Sequence, residues 1–325
     1  MKRAAGRLSV GSFNSLTIIG GKSIEGDRAM RWEGERQSDN LEDRRTRRGA
    51  VPSGAALGGV GMLVLLLISG FLGIDPGVVQ KIAQNIPQQG GAAVAQGEGE
   101  ERELTPREQR QRDFMATILG FTEEVWTEQF RASGQRYEPP KMVLFADGVN
   151  TGCGDAPSSV GPFYCPADKT VYLDPSFFEE LEQKLGGSAA EFSQAYVVAH
   201  EVGHHVQNLL GYSRIVEQKR RTESKAEANR WSVRLELQAD YLAGVWAHYG
   251  QERFRFIEAG DVAAAMKSAQ AIGDDRLQKN ARGFTSPESY THGTSAQRTK
   301  WFDLGLKTGD LSRVKELFEL PYERL

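Results

Sequence analysis

The sequence HEVGH at residues 200–204 constrains the fold of this chain more than any other stretch. Side chains four residues apart share one face of an α-helix, so a helix here points His200 and His204 at one position. Glu201 lies about a hundred degrees around that helix, where it can act on a water molecule without being a ligand. The pattern therefore predicts half of a zinc site together with a general base.

Local signals delimit the helix that carries this motif. Ser188 and Glu191 have the spacing of a capping box, and Gly211 is a natural stop, so we predict a helix over 189–210. The same kinds of signal predict a second helix over 225–249, which would begin at a serine cap and end at the next glycine.

The second helix offers the missing metal ligand. H-E-x-x-H alone also occurs on ordinary helices, whereas a catalytic zinc site needs a third protein ligand and leaves its fourth position to water. Glu236 is the candidate, and Asp240, one turn further along, can accept the outer N–H of a ligating histidine. Gly244 on the same stripe is predicted to let the two helices approach closely. We therefore predict one Zn²⁺ per chain.

The remaining histidines have different expected roles. His248 lies about 18 Å along its helix from the third ligand, too far to bind the same ion, so we interpret it and His205 as structural. His292 lies in the Gly- and Thr-rich sequence THGTSAQR, which ends at Arg298. A surface role is the alternative, but either side chain near a reacting carbonyl would stabilise the negative charge that develops there. Ser295 is predicted to cap the following helix.

Composition changes along the chain predict its division into segments. A hydrophobic content of 39% suits a globular core, and a net charge of −3 without a basic stripe argues against nucleic acid as a partner. We predict an upstream extension at residues 1–29 and an Arg-rich cytoplasmic segment at 30–53. A transmembrane helix at 54–74 and a flexible linker at 75–104 then lead to the functional domain at 105–325.

The transmembrane prediction rests on residues 54–74, which carry no charged side chain. As a helix they span roughly 30 Å, enough to cross the hydrocarbon core. A buried soluble helix and a cleaved signal peptide are the alternatives, which the many glycines and the distance from the first residue disfavour. Four arginines precede this stretch, namely Arg44, Arg45, Arg47 and Arg48. By the positive-inside rule they place the N-terminus in the cytoplasm. The prediction is a single-pass protein of the inner, cytoplasmic membrane with an extracytoplasmic, periplasmic domain.

Cys153 and Cys165 are the two cysteines of the chain. A pair separated by 12 positions in Gly/Pro-rich sequence can remain free, form half of a metal site or form a disulfide. The predicted extracytoplasmic location favours the disulfide.

The domain from residue 105 onward is predicted to be α+β, mainly helical with a small sheet. Two strands are predicted at 141–147 and 169–174, and an extended peptide could bind along one of them by strand addition. Further helices are predicted at 106–119, 123–132, 176–185, 262–280, 296–305 and 311–319.

From Met30 almost to the C-terminus the chain resembles the bacterial membrane-anchored neutral zinc metallopeptidases. The motifs that carry this resemblance are RWEGERQSDN, TGCG, GPFYCP, HEVGHHVQ, ELQAD and HGTSAQR. The site is also similar to that of gluzincins of the HtpX and CAAX-prenyl protease type, which combine H-E-x-x-H with E-x-x-x-D. Those proteins have a downstream His-to-Arg spacing that His292 and Arg298 match.

This resemblance implies a zincin-like fold and hydrolysis of a peptide or protein substrate. It implies His200, His204 and Glu236 as zinc ligands and Glu201 as the base. The competing interpretation is a membrane-tethered scaffold that zinc merely stabilises. Glu201 argues against that interpretation, since a purely structural zinc site needs no base.

Overall fold

The computed structural model describes residues 30–46 and 102–325. Within these ranges the fold is mainly helical with a small sheet, which confirms the predicted α+β class. The helices are α1 Pro106–Ala132, α2 Phe177–Gln183, α3 Glu191–Leu210, α4 Tyr212–Thr222, α5 Lys225–Phe254, α6 Asp261–Ala271, α7 Asp274–Arg282, α8 Ser295–Thr308 and α9 Glu316–Glu319. The strands are β1 Leu41–Asp43, β2 Lys141–Leu144, β3 Gly148–Thr151, β4 Gly154–Pro157, β5 Phe163–Cys165 and β6 Thr170–Leu173.

The main sheet has the strand order β1-β2-β6-β5 and packs against α1 and α3. Strands β1, β2 and β6 are parallel, while β5 pairs antiparallel with β6; β3 and β4 form a separate hairpin. The strand predicted at 141–147 ends early because the chain turns at Asp147, whose φ is 66°. Both predicted strands lie in the centre of the sheet. The prediction that one of them offers a free edge to a peptide is therefore wrong, and the edges are β1 and β5.

Two glycines that looked like helix breaks lie inside continuous helices. Helix α1 runs through Gly120, where a Cβ would lie 2.7 Å from the backbone oxygen of Arg36. Helix α5 runs through Gly250, where a Cβ would lie 2.5 Å from the Phe256 ring. Each glycine allows another part of the chain to pack closely against the helix. The free energy gained by burying the whole helix exceeds the cost of the low helix propensity of glycine.

Other helix boundaries also differ from the predictions. We predicted one helix over 262–280, but the structure has two, α6 and α7. The break between them is at Gly273, which packs closely on the start of α8: a Cβ there would lie 2.4 Å from the backbone nitrogen of Ser295. Gly211 does end α3, with φ 87°, but the unpredicted α4 follows at once. The segment predicted at 311–319 is a 3₁₀ turn followed by the short α9.

Two predicted N-caps lie one or two residues away from the observed ones. Ala190 precedes α3, and Ser188 instead accepts a hydrogen bond from the Ala190 N–H at 3.2 Å. Thr294 caps α8 in a capping box with Gln297, and Ser295 donates its hydroxyl to a backbone oxygen of α6. At α8 the choice is between two good capping residues, Thr294 and Ser295, whereas α3 begins at Ala190 without a side-chain cap.

Glycine contacts bring α5 close to two other helices. A Cβ on Gly203 of α3 would lie 3.1 Å from the backbone oxygen of Ala239, so this is where α3 and α5 meet closely. Gly244 was predicted to serve that contact, but it faces α8, where a Cβ would lie 2.1 Å from the backbone oxygen of Phe302. The E-x-x-x-D helix is thus packed between α3 and α8.

We expect Gly244→Ala to destabilise the fold by about 1–3 kcal/mol, because the added methyl group overpacks the contact with α8. Helix propensity alone predicts the opposite sign, a gain of about 1 kcal/mol. Urea denaturation of both proteins measures the difference. Ala226→Gly, on the exposed first turn of the same helix, is the control for propensity. A more stable Gly244→Ala protein would contradict the close packing.

Three predictions concern other parts of the chain. The structure contains the Cys153–Cys165 disulfide, which confirms the pairing. The described residues include no helix that is both long enough and apolar enough to span a membrane. The predicted extension 1–29 and transmembrane helix 54–74 lie outside those residues, as does the linker up to residue 101.

Candidate metal centre

His200, His204 and Glu236 converge where α3 faces α5. One ligand atom from each lies within 4.8 Å of the others. The His200 Nε2 atom is 3.3 Å from one Glu236 oxygen, and the His204 Nε2 atom is 3.6 Å from the other. Helical spacing places both imidazoles on one face of α3, and the close α3–α5 contact brings the carboxylate opposite them. The three residues predicted as ligands therefore lie together.

Each imidazole is held through its other nitrogen. His200 Nδ1 lies 2.8 Å from the Asp240 carboxylate, the contact predicted for Asp240. His204 Nδ1 lies 2.8 Å from the side-chain oxygen of Gln207, whose amide donates to the Leu235 backbone oxygen at 2.6 Å. Such outer partners fix the tautomer, so both Nε2 atoms are directed at the shared position.

Arg298 has a different position from the one expected. Its side chain is 3% exposed, and its Nε and Nη2 atoms donate to the two oxygens of Asp240 at 2.8 and 3.0 Å. Tyr196 donates its hydroxyl to the same carboxylate at 2.6 Å. We expected Arg298 to contact a reacting carbonyl. Instead, its guanidinium binds the Asp240 carboxylate, which in turn forms a hydrogen bond with His200.

The charges at this cluster are coupled. Burial raises the pKa of Asp240, but the Arg298 guanidinium and His200 outweigh it and lower that pKa to about 2. Burial lowers the pKa of His200, but the Asp240 carboxylate and hydrogen bonds to Asp240 and Glu236 raise it to about 10. A metal ion at Nε2 would have to displace a proton, so binding is coupled to proton release.

Glu201 lies beside the ligands without joining them. It is 8% exposed, and within residues 30–46 and 102–325 its carboxylate makes no side-chain hydrogen bond or ion pair. A buried carboxylate is costly unless it is paired or bonded. The free oxygens of Glu201 can therefore accept a proton from water at the site.

Asp274, the first residue of α7, organises the His292 loop. One of its oxygens accepts the backbone N–H groups of Thr291, His292 and Gly293 at 2.7, 2.6 and 3.0 Å. Burial lowers the pKa of His292, but the bond to Asp274 and the charge of Glu236 raise it. The neighbouring Gly293 packs on α5, where a Cβ would lie 3.2 Å from the Leu237 side chain. The loop thus packs on the helix that carries Glu236, and a role of His292 in catalysis stays a prediction from the sequence.

The other two histidines lie away from the ligand cluster. His205 is fully buried, with Nδ1 3.0 Å from the Tyr164 hydroxyl and Nε2 2.7 Å from the Glu138 backbone oxygen. His248 Nδ1 is 2.8 Å from a backbone oxygen of α8. These contacts tie α3 to β5 and α5 to α8, consistent with the structural roles predicted for both residues.

Asp240→Asn is expected to lower zinc affinity roughly 10–100-fold, because His200 loses its charged partner. It should also destabilise the fold by about 3–5 kcal/mol, because Arg298 is left buried without a counter-charge. Zinc titration and urea denaturation measure the two effects. Adding Arg298→Met should restore stability but not affinity. Unchanged affinity in Asp240→Asn would contradict the role of the carboxylate.

Sequence reasoning missed Tyr196, Gln207 and Asp274. Gln207 had a local signal, since it lies three residues after His204 on the same helix and can reach its ring. Tyr196 also had one, four residues before His200. Asp274 had none, because its three acceptor contacts are made to a loop 17 to 19 residues away.

An H-E-x-x-H helix that faces a glutamate on a second helix is the arrangement of residues found at the metal centres of zinc-dependent hydrolases. The sequence model of the family described as "Putative neutral zinc metallopeptidase" matches residues 30–317, and the chain belongs to that family. Membership implies zinc as the metal.

Two relatives show how far the similarity extends. Uncharacterized protein YpfJ of Escherichia coli (strain K12) is 45% identical over 291 residues, which cover 86% of this chain and 96% of that protein. Uncharacterized protein Rv2575 of Mycobacterium tuberculosis (strain H37Rv) is 48% identical over 183 residues, covering 54% of this chain and 61% of that protein. No solved structure matches the chain.

Proposed function

We propose that this protein is a zinc-dependent peptidase of the gluzincin type, with His200, His204 and Glu236 as zinc ligands and Glu201 as general base. The observation that carries the proposal is the convergence of two Nε2 atoms and a carboxylate within 4.8 Å, with an unengaged glutamate beside them. Two imidazoles and one carboxylate are a ligand set that zinc accepts in catalytic sites, where the fourth position stays open.

When bound, zinc supplies Lewis acidity that activates water and polarises a carbonyl. Glu201 takes the proton of the attacking water and passes it to the leaving amine. His292, with its ring 38% exposed on the loop held by Asp274, donates a hydrogen bond to the oxyanion of the tetrahedral intermediate. Arg298 acts through Asp240 and does not touch the substrate.

An extended peptide would bind along β5, the edge strand that packs against α3. The Tyr164 hydroxyl of this strand lies 3.0 Å from His205 Nδ1 and accepts from Asn208 at 3.1 Å, so the strand is fixed to the helix that carries the metal ligands. A free strand edge recognises peptide backbone rather than particular side chains. The substrate class that fits is therefore an unfolded or extended polypeptide.

Removal and return of zinc test the proposal. The purified full chain is treated with a chelator, then assayed against a mixed peptide library before and after addition of one equivalent of Zn²⁺. We expect hydrolysis to disappear with the metal and to return with Zn²⁺ but not with Mg²⁺, which prefers oxygen ligands. Hydrolysis that persists unchanged in metal-free protein would overturn the proposal. Folded, zinc-loaded protein without hydrolysis would favour a zinc-stabilised scaffold instead.

A further inference from the structure

His205 directly follows the ligand His204 on α3, yet it takes no part in the metal centre. Its ring is fully buried, and its Nε2 atom lies 2.7 Å from the backbone oxygen of Glu138. In the part of the chain that the structure describes, neither ring nitrogen is paired with a carboxylate, and an unpaired buried charge is costly. Because a carbonyl oxygen can only accept, the neutral ring carries its proton on Nε2, and Nδ1 is an acceptor.

Tyr164 of β5 completes this chain of hydrogen bonds. Since Nδ1 of His205 accepts, the Tyr164 hydroxyl donates to it, at 3.0 Å. The same hydroxyl accepts from the Asn208 amide at 3.1 Å. The rings of Tyr164 and His205 also meet edge to face, with their centroids 5.4 Å apart. One hydroxyl group therefore ties β5 to two residues of α3.

This tie lies on the side of α3 that carries the proposed base. Positions 201, 205 and 208 are four and three residues apart, so Glu201, His205 and Asn208 form one stripe along the helix. One turn, about 6 Å along the axis, separates Glu201 from His205. Strand β5 is thus attached to α3 one turn away from the carboxylate that would act on the attacking water.

Strand β5 depends on side-chain ties for its position. It has three residues and pairs on one side only, antiparallel with β6, so few backbone bonds hold it. Side chains alternate along a strand, and the two neighbours of Tyr164 lie on the other face of the sheet. There Phe163 stacks on Tyr172, and Cys165 forms its disulfide. Tyr164 is therefore the residue of β5 that packs on α3.

We propose that the Tyr164 hydroxyl positions β5, as the peptide-binding strand, relative to Glu201. This inference rests on the peptidase function proposed above. A peptide that pairs with β5 takes its location from that strand, so the tie to α3 sets where the peptide backbone lies relative to the base. Without the hydroxyl, β5 is in place for only a fraction of the time, and the apparent affinity for the peptide falls with that fraction.

Tyr164→Phe tests the proposal because it removes the hydroxyl and keeps the ring. Hydrolysis of one peptide that the parent chain cleaves is measured with the full, zinc-loaded chain. We expect KM to rise about 2–10-fold, the equivalent of one lost hydrogen bond, while kcat and zinc content stay as in the parent. A variant that is merely less stable would instead lose active molecules, which lowers kcat and leaves KM unchanged.

Tyr172→Phe is the matched control. Tyr172 lies on the neighbouring strand β6, and its hydroxyl donates to Asp168 at 2.8 Å on the face of the sheet away from α3. Removing this hydroxyl should leave KM at the parent's value. Asn208→Ala removes the other partner of the Tyr164 hydroxyl and should raise KM in the same direction as Tyr164→Phe.

Hydrogen exchange at residues 163–165 adds a measurement that needs no substrate. Their amides should exchange faster in Tyr164→Phe than in the parent or in Tyr172→Phe, and equal exchange would exclude the tie. If the parent hydrolyses the peptide and Tyr164→Phe keeps its KM, or lowers kcat alone, the positioning role is overturned and the peptidase function stands. A folded, zinc-loaded parent without any hydrolysis overturns the proposed function and this inference with it.

Discussion

Glu201→Gln is expected to keep the fold and the metal and to lose peptide hydrolysis by at least about 10²–10⁴-fold, the contribution typical of a general base. The expectation follows from position: Glu201 is next to His200 on α3, yet the ligand cluster is complete without it. Glutamine preserves its size and cannot accept the proton. The measurement is kcat/KM on the peptide library, together with zinc content by elemental analysis.

Glu182→Gln provides a control for a carboxylate-to-amide change near the end of α2, away from the metal ligands. It should leave both rate and zinc content unchanged. If Glu201→Gln and the parent chain hydrolyse the library at the same rate, Glu201 is not the base. If Glu201→Gln loses zinc, it contributes to binding and the ligand set must be revised.

Glu236→Ala is the second change with a large expected effect. Removing one of three protein ligands leaves two imidazoles, so the chain should no longer retain zinc through gel filtration and hydrolysis should be lost with it. The variant should still fold, because Glu236 is partly exposed at the site and the surrounding core of α5 is unchanged. Elemental analysis and circular dichroism measure the two properties.

Glu252→Ala is the matched control, since it removes an exposed glutamate from the same helix. It should bind one equivalent of zinc like the parent chain. Full zinc in Glu236→Ala would exclude Glu236 as the third ligand. In that case the third ligand would have to be sought among other residues, beginning with His292→Ala.

Features that depend on helix periodicity were predictable from sequence. Positions 200 and 204 share a face whatever the helix packs against, and Glu236 and Asp240 are one turn apart for the same reason. The cap of α1 was equally local, since Thr105 and Glu108 form the capping box that their spacing indicates. The zinc stoichiometry, the peptide partner and the exclusion of nucleic acid remain predictions from the sequence.

Contacts between distant parts of the chain were decided by tertiary structure alone. Arg298 binds Asp240 across 58 positions, and no local pattern distinguishes that role from contact with a substrate. Gly244 faces α8 and not α3 because the choice between two neighbouring helices depends on how all three pack. Parallel pairing of the three-residue strand β1 with β2 has no short-range signal either, since a turn cannot connect parallel strands. The sequence by itself determined which residues a helix would present together, because that depends only on rotation per residue. The fold decided which surfaces those helices meet, because that depends on burial summed over the whole domain.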